Sequence, residues 1–291
     1  MNAPDLSNEP YAIAEQISPL IRRVLARNAS PFSYTGTQTY IVGHGDVAVI
    51  DPGPLGDDPA HVDELIRILA GDRITAILCT HTHRDHSPAA APLSAATGAP
   101  VMGCAPLFIE DDGPRSDASF DTTYAPSHVL TDGESLTGKG WTLTAFHTPG
   151  HTSNHLCYAL EEEKALFTGD HIMGWSTTVV SPPDGDMADY MRSLQLLIDR
   201  DDALYYPAHG PAVENPQRLA RGMMVHRKQR EAQIAKALSN GPRAIRDMVP
   251  DMYKGVDPRL HGAAGRSVLA HLIDMQARKL VDVDNDNWHL L

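Results

Sequence analysis

The chain has 291 residues, of which 42% are hydrophobic, 21% charged and 6% aromatic, a profile that excludes a disordered or collagenous protein. That length buries a substantial core and suits one large domain or a domain with an appendage. The net charge of −13 is uneven: residues 1–213 carry 11 basic against 28 acidic side chains, residues 214–291 carry 13 against 9, so the first part repels polyanions while the second offers a basic face that could meet phosphate.

Residues 1–34 show no apolar run behind a basic stretch, and no window approaches the roughly 20 apolar residues of a membrane span. The expected location is the cytoplasm, with no membrane attachment. Three unevenly spaced cysteines, Cys79, Cys104 and Cys157, give neither a disulfide framework nor a thiolate metal site and read as small buried hydrophobes.

Residues 37–51 read as two short strands joined by a turn at Gly43 to Asp46. Val62, Leu65, Ile66 and Leu69 fall at helical spacing over Ala60 to Ala70, ahead of Gly71. A strand from Ile74 to Thr80 runs straight into His81. A helix is expected near Ser87 to Thr97, with Ser87 and Pro88 as cap and first helical position, although Pro92 lacks an amide hydrogen and implies a later start or a kink. Strands follow at about Pro100 to Gly103, Trp141 to His147, His155 to Leu160 and Ala165 to Thr168, with a surface loop over Glu110 to Ser127. Strands interleaved with helices imply an α/β layered fold. Beyond Pro216 the texture becomes helical, at Gln217 to Leu238, Pro242 to Met248 and about Ala264 to Lys279. Leu280 to Leu291 alternate as a hairpin would. Helix, helix, helix, hairpin is the outline of a winged helix, which divides the chain into residues 1–213 and 214–291.

The chemistry sits in four short motifs. In His81-Thr82-His83-Arg84-Asp85-His86, extended backbone projects His81 and His83 to one side, where they can share an ion. Asp85 and His86 come as the chain turns and can address a second ion. Imidazoles and a carboxylate so close together are costly to bury without a metal or hydrogen-bond partners. Thr148-Pro149-Gly150-His151, Thr168-Gly169-Asp170 and Pro207-Ala208-His209-Gly210 each place one more ligand type in a tight loop after apolar sequence. Mixed imidazole and carboxylate ligands point to zinc, with iron, manganese or cobalt also accepted.

Together these motifs resemble the metallo-β-lactamase superfamily over roughly residues 35–213. The resemblance implies an αββα sandwich with the site at one edge of its two sheets. It implies that His81, His83 and His151 hold a first zinc, that Asp85, His86 and His209 hold a second, and that Asp170 bridges them. It further implies that a metal-bridging hydroxide is the nucleophile, with Asp85 and Asp170 as the catalytic carboxylates and no covalent intermediate. Asp51 matches the family's early aspartate, which supports the ligand loop; its other reading is a turn-forming residue before Pro52-Gly53. His155 and His171 lie close enough in sequence to support the ligands.

A carboxylate at Asp170 is similar to glyoxalase II, lactonase and ribonuclease members and unlike the antibiotic-hydrolysing enzymes. Only 38 residues lie between Asp170 and His209, too few for the inserted domain of the nucleases that process nucleic-acid ends. Residues 169–179 and the winged-helix outline resemble the β-lactamase-like protein 2 group, which includes an endoribonuclease on single-stranded RNA. Ser87-Pro88-Ala89 departs from the Ser-Gly-Gly common there, at the rim of the site. Three readings follow: a phosphodiesterase on single-stranded RNA, favoured by the basic tail and disfavoured by the acidic catalytic part and few stacking aromatics; a glyoxalase II-like hydrolase of small thioesters, esters or lactones; and a nucleic-acid or protein-binding module whose metal site is secondary.

Overall fold

The computed structural model describes residues 6–107, 109 and 120–291; the loop expected over 110–127 lies largely outside them. Two sheets form. The first runs in spatial order β1 (Glu15–Gln16), β2 (Ile21–Leu25), β3 (Gln38–His44), β4 (Asp46–Ile50), β5 (Arg73–Cys79), β6 (Val101–Gly103) and β7 (His128–Val129). The second, in reverse order, contains β8 (Ser135–Gly138), β9 (Trp141–His147), β10 (Leu156–Leu160), β11 (Ala165–Gly169) and β12 (Leu204–Pro207). β3, β4, β10 and β11 are buried along almost their whole length, and the edge strands β1, β7 and β8 are partly exposed. β3 and β4 form the expected hairpin, while β4, β5 and β6 are parallel, joined through α1 (His61–Ile68) and α2 (Ala90–Thr97). β11 and β12 are parallel, joined through α3 (Met187–Asp199).

The main core lies between the sheets, where Tyr40, Val49 and Leu78 meet Trp141, Tyr158 and Phe167. Cys157, Ala159, Leu166 and Tyr205 turn to the other face of the second sheet and pack on Tyr190, Leu194 and Leu197 of α3. Helix, sheet, sheet, helix is therefore the layer order. The three cysteines are buried thiols, as expected.

α2 begins at Ala90, later than the Ser87 expected, and neither its cap nor its first turn uses the Ser87 hydroxyl. That hydroxyl is buried and donates instead to the Asp121 carboxylate at 2.9 Å, a tertiary partner that local capping rules do not see. β1, β2, β7, β8, β12 and α3 had no counterpart in the sequence reading.

α4 (Pro216–Leu238), α5 (Ile245–Met252), α6 (His261–Ala277) and the hairpin β13 (Val281–Asp284) with β14 (Asn287–Leu290) follow. Ile234, Leu238, Met248, Val268, Leu272 and Trp288 close a separate C-terminal core. The first half of α4 is different: Ala220 and Met223 join α3 in the outer core of the second sheet, so this helix belongs to both parts. Among the described residues no helix is long and apolar enough to cross a membrane.

Candidate metal centre and active site

All the ligand motifs leave strands at one edge of the sandwich. His81 follows β5, His151 follows β9, Asp170 follows β11 and His209 follows β12, and the structure brings the seven expected side chains into two adjoining groups. Ligand-type atoms of His81, His83, His151 and Asp170 lie within 4.8 Å of one another, as do those of Asp85, His86 and His209. In the first group His83 Nδ1 stands 2.9 Å from His81 Nε2 and 3.1 Å from His151 Nε2. In the second, His209 Nε2 is 3.2 Å from Asp85 Oδ2 and 3.3 Å from Asp170 Oδ1, and His86 Nε2 is 3.6 Å from Asp170 Oδ1. Asp170 turns its other oxygen, Oδ2, toward His151 Nε2 at 3.6 Å, so one oxygen faces each group.

The far nitrogens fix which ring atom faces inward. His151 Nδ1 lies 2.7 Å from the Val179 carbonyl and His209 Nδ1 lies 3.2 Å from the Gly36 carbonyl. A carbonyl only accepts, so both rings carry hydrogen at Nδ1 and present a lone pair at Nε2. His86 Nδ1 similarly donates to Asp51 Oδ2 at 3.0 Å, leaving His86 Nε2 without a hydrogen-bond partner, as are Asp170 Oδ1 and His83 Nε2. Lone pairs converging on one another and on carboxylates at this depth repel unless a cation sits among them. The donor set of imidazoles and carboxylates fits two divalent transition-metal ions.

Charge behaviour separates the two groups. Burial and the surrounding imidazoles push His81 well below its ordinary value and His83 down to about 3. For His86, burial opposes the charge, but Asp85, Asp170 and Asp51 outweigh it and raise the pKa well above 6.5. Burial likewise works against ionised Asp170, and His209 and His86 overcome it, holding the carboxyl well below the usual range. Without metal, the second group thus takes up protons where a cation would stand.

The supporting residues were only partly legible. Asp51 is buried and accepts from Thr80 N and Thr80 Oγ1, each at 2.8 Å, as well as from His86; its backbone φ of +49° is strain of the kind held at functional sites. His155 accepts from Asp170 N–H at 3.2 Å and donates to Thr148 Oγ1 at 2.9 Å. The His171 ring packs on Tyr190 at 4.8 Å and neither ring nitrogen has a hydrogen-bond partner. Gly169 has φ of +49°, and a Cβ there would come within 2.6 Å of His155 Nε2 and 2.7 Å of Thr80 Oγ1, which explains a glycine beside the bridging carboxylate. Residues missed were Thr80, which ties His81 to Asp51, and the carbonyls of Gly36 and Val179. A third group, Asp58, His61 and Glu64, is already compensated by Arg27, whose Nη1 is 2.7 Å from Glu64 and 3.8 Å from Asp58.

A cavity of about 300 Å³ opens on the two groups. Phe32, Met173, Trp175 and Val179 form its apolar walls, and Tyr253 and Leu260 of the C-terminal part also line it.

Residues 34–209 match the family described as Metallo-beta-lactamase superfamily, and residues 244–288 match the Beta-lactamase associated winged helix domain. The chain belongs to the metallo-beta-lactamase superfamily. An atrochrysone carboxyl ACP thioesterase of Pseudocercospora fijiensis is 32% identical to this superfamily member over 273 residues, 91% of this chain and 76% of that one. A beta-lactamase domain protein from Burkholderia ambifaria shares the fold across both parts, with a TM-score of 0.81 at 18% identity over 98% of this chain and 96% of that one. TTHA1623, solved in a di-iron-bound form, aligns with a TM-score of 0.52 at 26% identity, covering 67% of this chain and 97% of that one. This chain is thus a superfamily hydrolase with His and Asp metal-binding clusters, as its motifs indicated.

Proposed function

We propose that the protein is a binuclear metal-dependent thioesterase acting on a small acyl thioester. The observation that carries this reading is the largely apolar cavity of about 300 Å³ ending on the paired clusters, the size and character of a small-ligand site. The relative named as an acyl carrier thioesterase, 32% identical over 91% of the chain, supports the same choice.

In this reading His81, His83 and His151 would hold one ion and Asp85, His86 and His209 the other, with Asp170 available to both. Zinc, or iron as in the di-iron relative, would polarise the thioester carbonyl and bring bound water to a pKa of about 7. Asp85 is the more exposed of the two carboxylates, at 18% against 12% for Asp170. It orients the attacking water by accepting its hydrogen and returns that proton to the departing thiolate. Asp51 and the Gly36 and Val179 carbonyls hold the imidazoles in one tautomer throughout. Trp175, stacked on Tyr34 at 5.1 Å, and Phe32 exclude bulk water from the acyl group.

Metal-loaded protein incubated with butyryl-N-acetylcysteamine is expected to release free thiol, read with a chromogenic disulfide, at a rate lost in Asp170→Ala. Cleavage of single-stranded RNA by wild type but not by Asp170→Ala, with no thioester turnover, would overturn the proposal in favour of the nuclease.

A further inference from the structure

The lining of the cavity carries both signs: the described carboxylates Asp85 and Asp170 belong to the metal-binding clusters, and His226, Arg227 and Arg230, three residues of α4, line it as well. Arg227 is only 4% exposed, yet no described carboxylate pairs with it or with Arg230. Their described hydrogen-bond acceptors are neutral: the Thr178 carbonyl for Arg227, and the Met252 carbonyl and Gln233 side chain, at 2.8 and 2.7 Å, for Arg230. The Nε of each guanidinium is buried without a partner, as is His226 Nδ1. Both guanidiniums stand over aromatic rings, Arg227 over Tyr190 at 5.0 Å and Arg230 over Tyr253 at 4.1 Å.

A chain with 37 acidic and 24 basic residues has carboxylates to spare, and an unpaired buried guanidinium is costly. Tethering the Thr178 carbonyl needs only a neutral donor, so the charge is unexplained by packing. Its field is felt locally: burial lowers the His226 pKa and Arg227 and Arg230 lower it further, with no carboxylate opposing.

We infer that Arg227, Arg230 and His226 form an oxyanion subsite that binds a phosphate or carboxylate carried by the thioester at the end remote from the reacting carbonyl. The inference rests on the thioesterase reading for the identity of the ligand, not for the existence of the subsite. A planar guanidinium meets either oxyanion with paired hydrogen bonds. The anion would come from the thiol arm, as the phosphate of phosphopantetheine, or from the acyl group, as a second carboxylate. Because α4 and Tyr253 line the cavity with these groups, the C-terminal part contributes directly to substrate selection.

Calorimetric titration of metal-loaded protein with two ligand pairs separates the sources: pantetheine against 4′-phosphopantetheine, and valerate against glutarate. Each pair offers the metals the same thiol or carboxylate and differs by one remote anionic group, a phosphate of about −1.5 to −2 charge in the first pair and a carboxylate in the second. In wild type the charged member of one pair is expected to bind at least about tenfold tighter, the scale of one charge-assisted contact, and the preference should fall below about threefold in Arg230→Gln. Arg227→Gln, which keeps a donor for Thr178, is the second variant, and Arg230→Gln decides alone if it does not fold. Equal affinities within both pairs, or a preference undiminished in Arg230→Gln, would overturn the subsite. Turnover of neutral thioesters alongside equal affinities would remove the subsite and leave the thioesterase standing; a charge preference without turnover would do the reverse.

Discussion

Asp51 shows how much of the site depends on groups that touch no metal. Its carboxylate collects three donors, two from Thr80 and one from His86, and so decides which nitrogen of His86 faces Asp85 and Asp170. Replacing it with alanine frees that ring and leaves buried donors unpaired. Asp51→Ala is expected to weaken metal binding about 10- to 100-fold, measured by competition with a chromogenic chelator; affinity equal to wild type would show that the ring needs no such support. The clustering of the candidate ligands was legible because six positions from His81 to His86 concentrate four side chains of metal-ligating type. The Gly36 and Val179 carbonyls were not, since a backbone acceptor leaves no mark on residue type. Thr80 was hidden by its place in an apolar strand, where a threonine reads as an ordinary β former.

At the scale of elements, what was legible followed periodicity and what was missed lacked it. β9 runs from Trp141 to His147, as its alternation indicates, and the β3 and β4 hairpin turns at Gly45. The two-residue strands β1 and β7 carry too little pattern to read, and the start of α2 moved because Ser87 found a partner 34 residues away in Asp121. In the C-terminal part, α6 carries the buried His271, which has no hydrogen-bond partner at either ring nitrogen. Burial, then Arg227, His226, Arg230 and Arg278, lower its pKa to about 3. The folded value lies below the unfolded value near 6.5, so the unfolded chain binds the extra proton between the two. The stability contributed by the neutral ring is present above pH 6.5 and is lost as the pH falls toward 3, with a limiting slope of about 1.4 kcal/mol per pH unit. Urea unfolding across that window is expected to show a shallower acid loss in His271→Gln than in wild type. Parallel pH profiles would mean that the ring is already charged in the folded protein.

For the molecule as a whole, the layer order and the C-terminal winged helix were both legible, and their mutual dependence was not. The composition change after Pro216 marks where the basic helical part starts, but composition does not reveal that α4 packs Ala220 and Met223 on the catalytic part and Ile234 and Leu238 in its own core. Nor does it reveal that His226, Arg227, Arg230 and Tyr253 line the cavity that opens on the metal-binding clusters. A basic tail suggested phosphate on an outer face; the structure turns part of that charge inward. The central claim is that seven side chains from four loops hold two metal ions, with Asp170 shared. Elemental analysis of protein exhaustively dialysed after metal loading tests it most directly. About two equivalents of transition metal per wild-type chain, falling to one or fewer in Asp170→Ala, is the predicted result. A single equivalent in wild type, or two retained without Asp170, would contradict it.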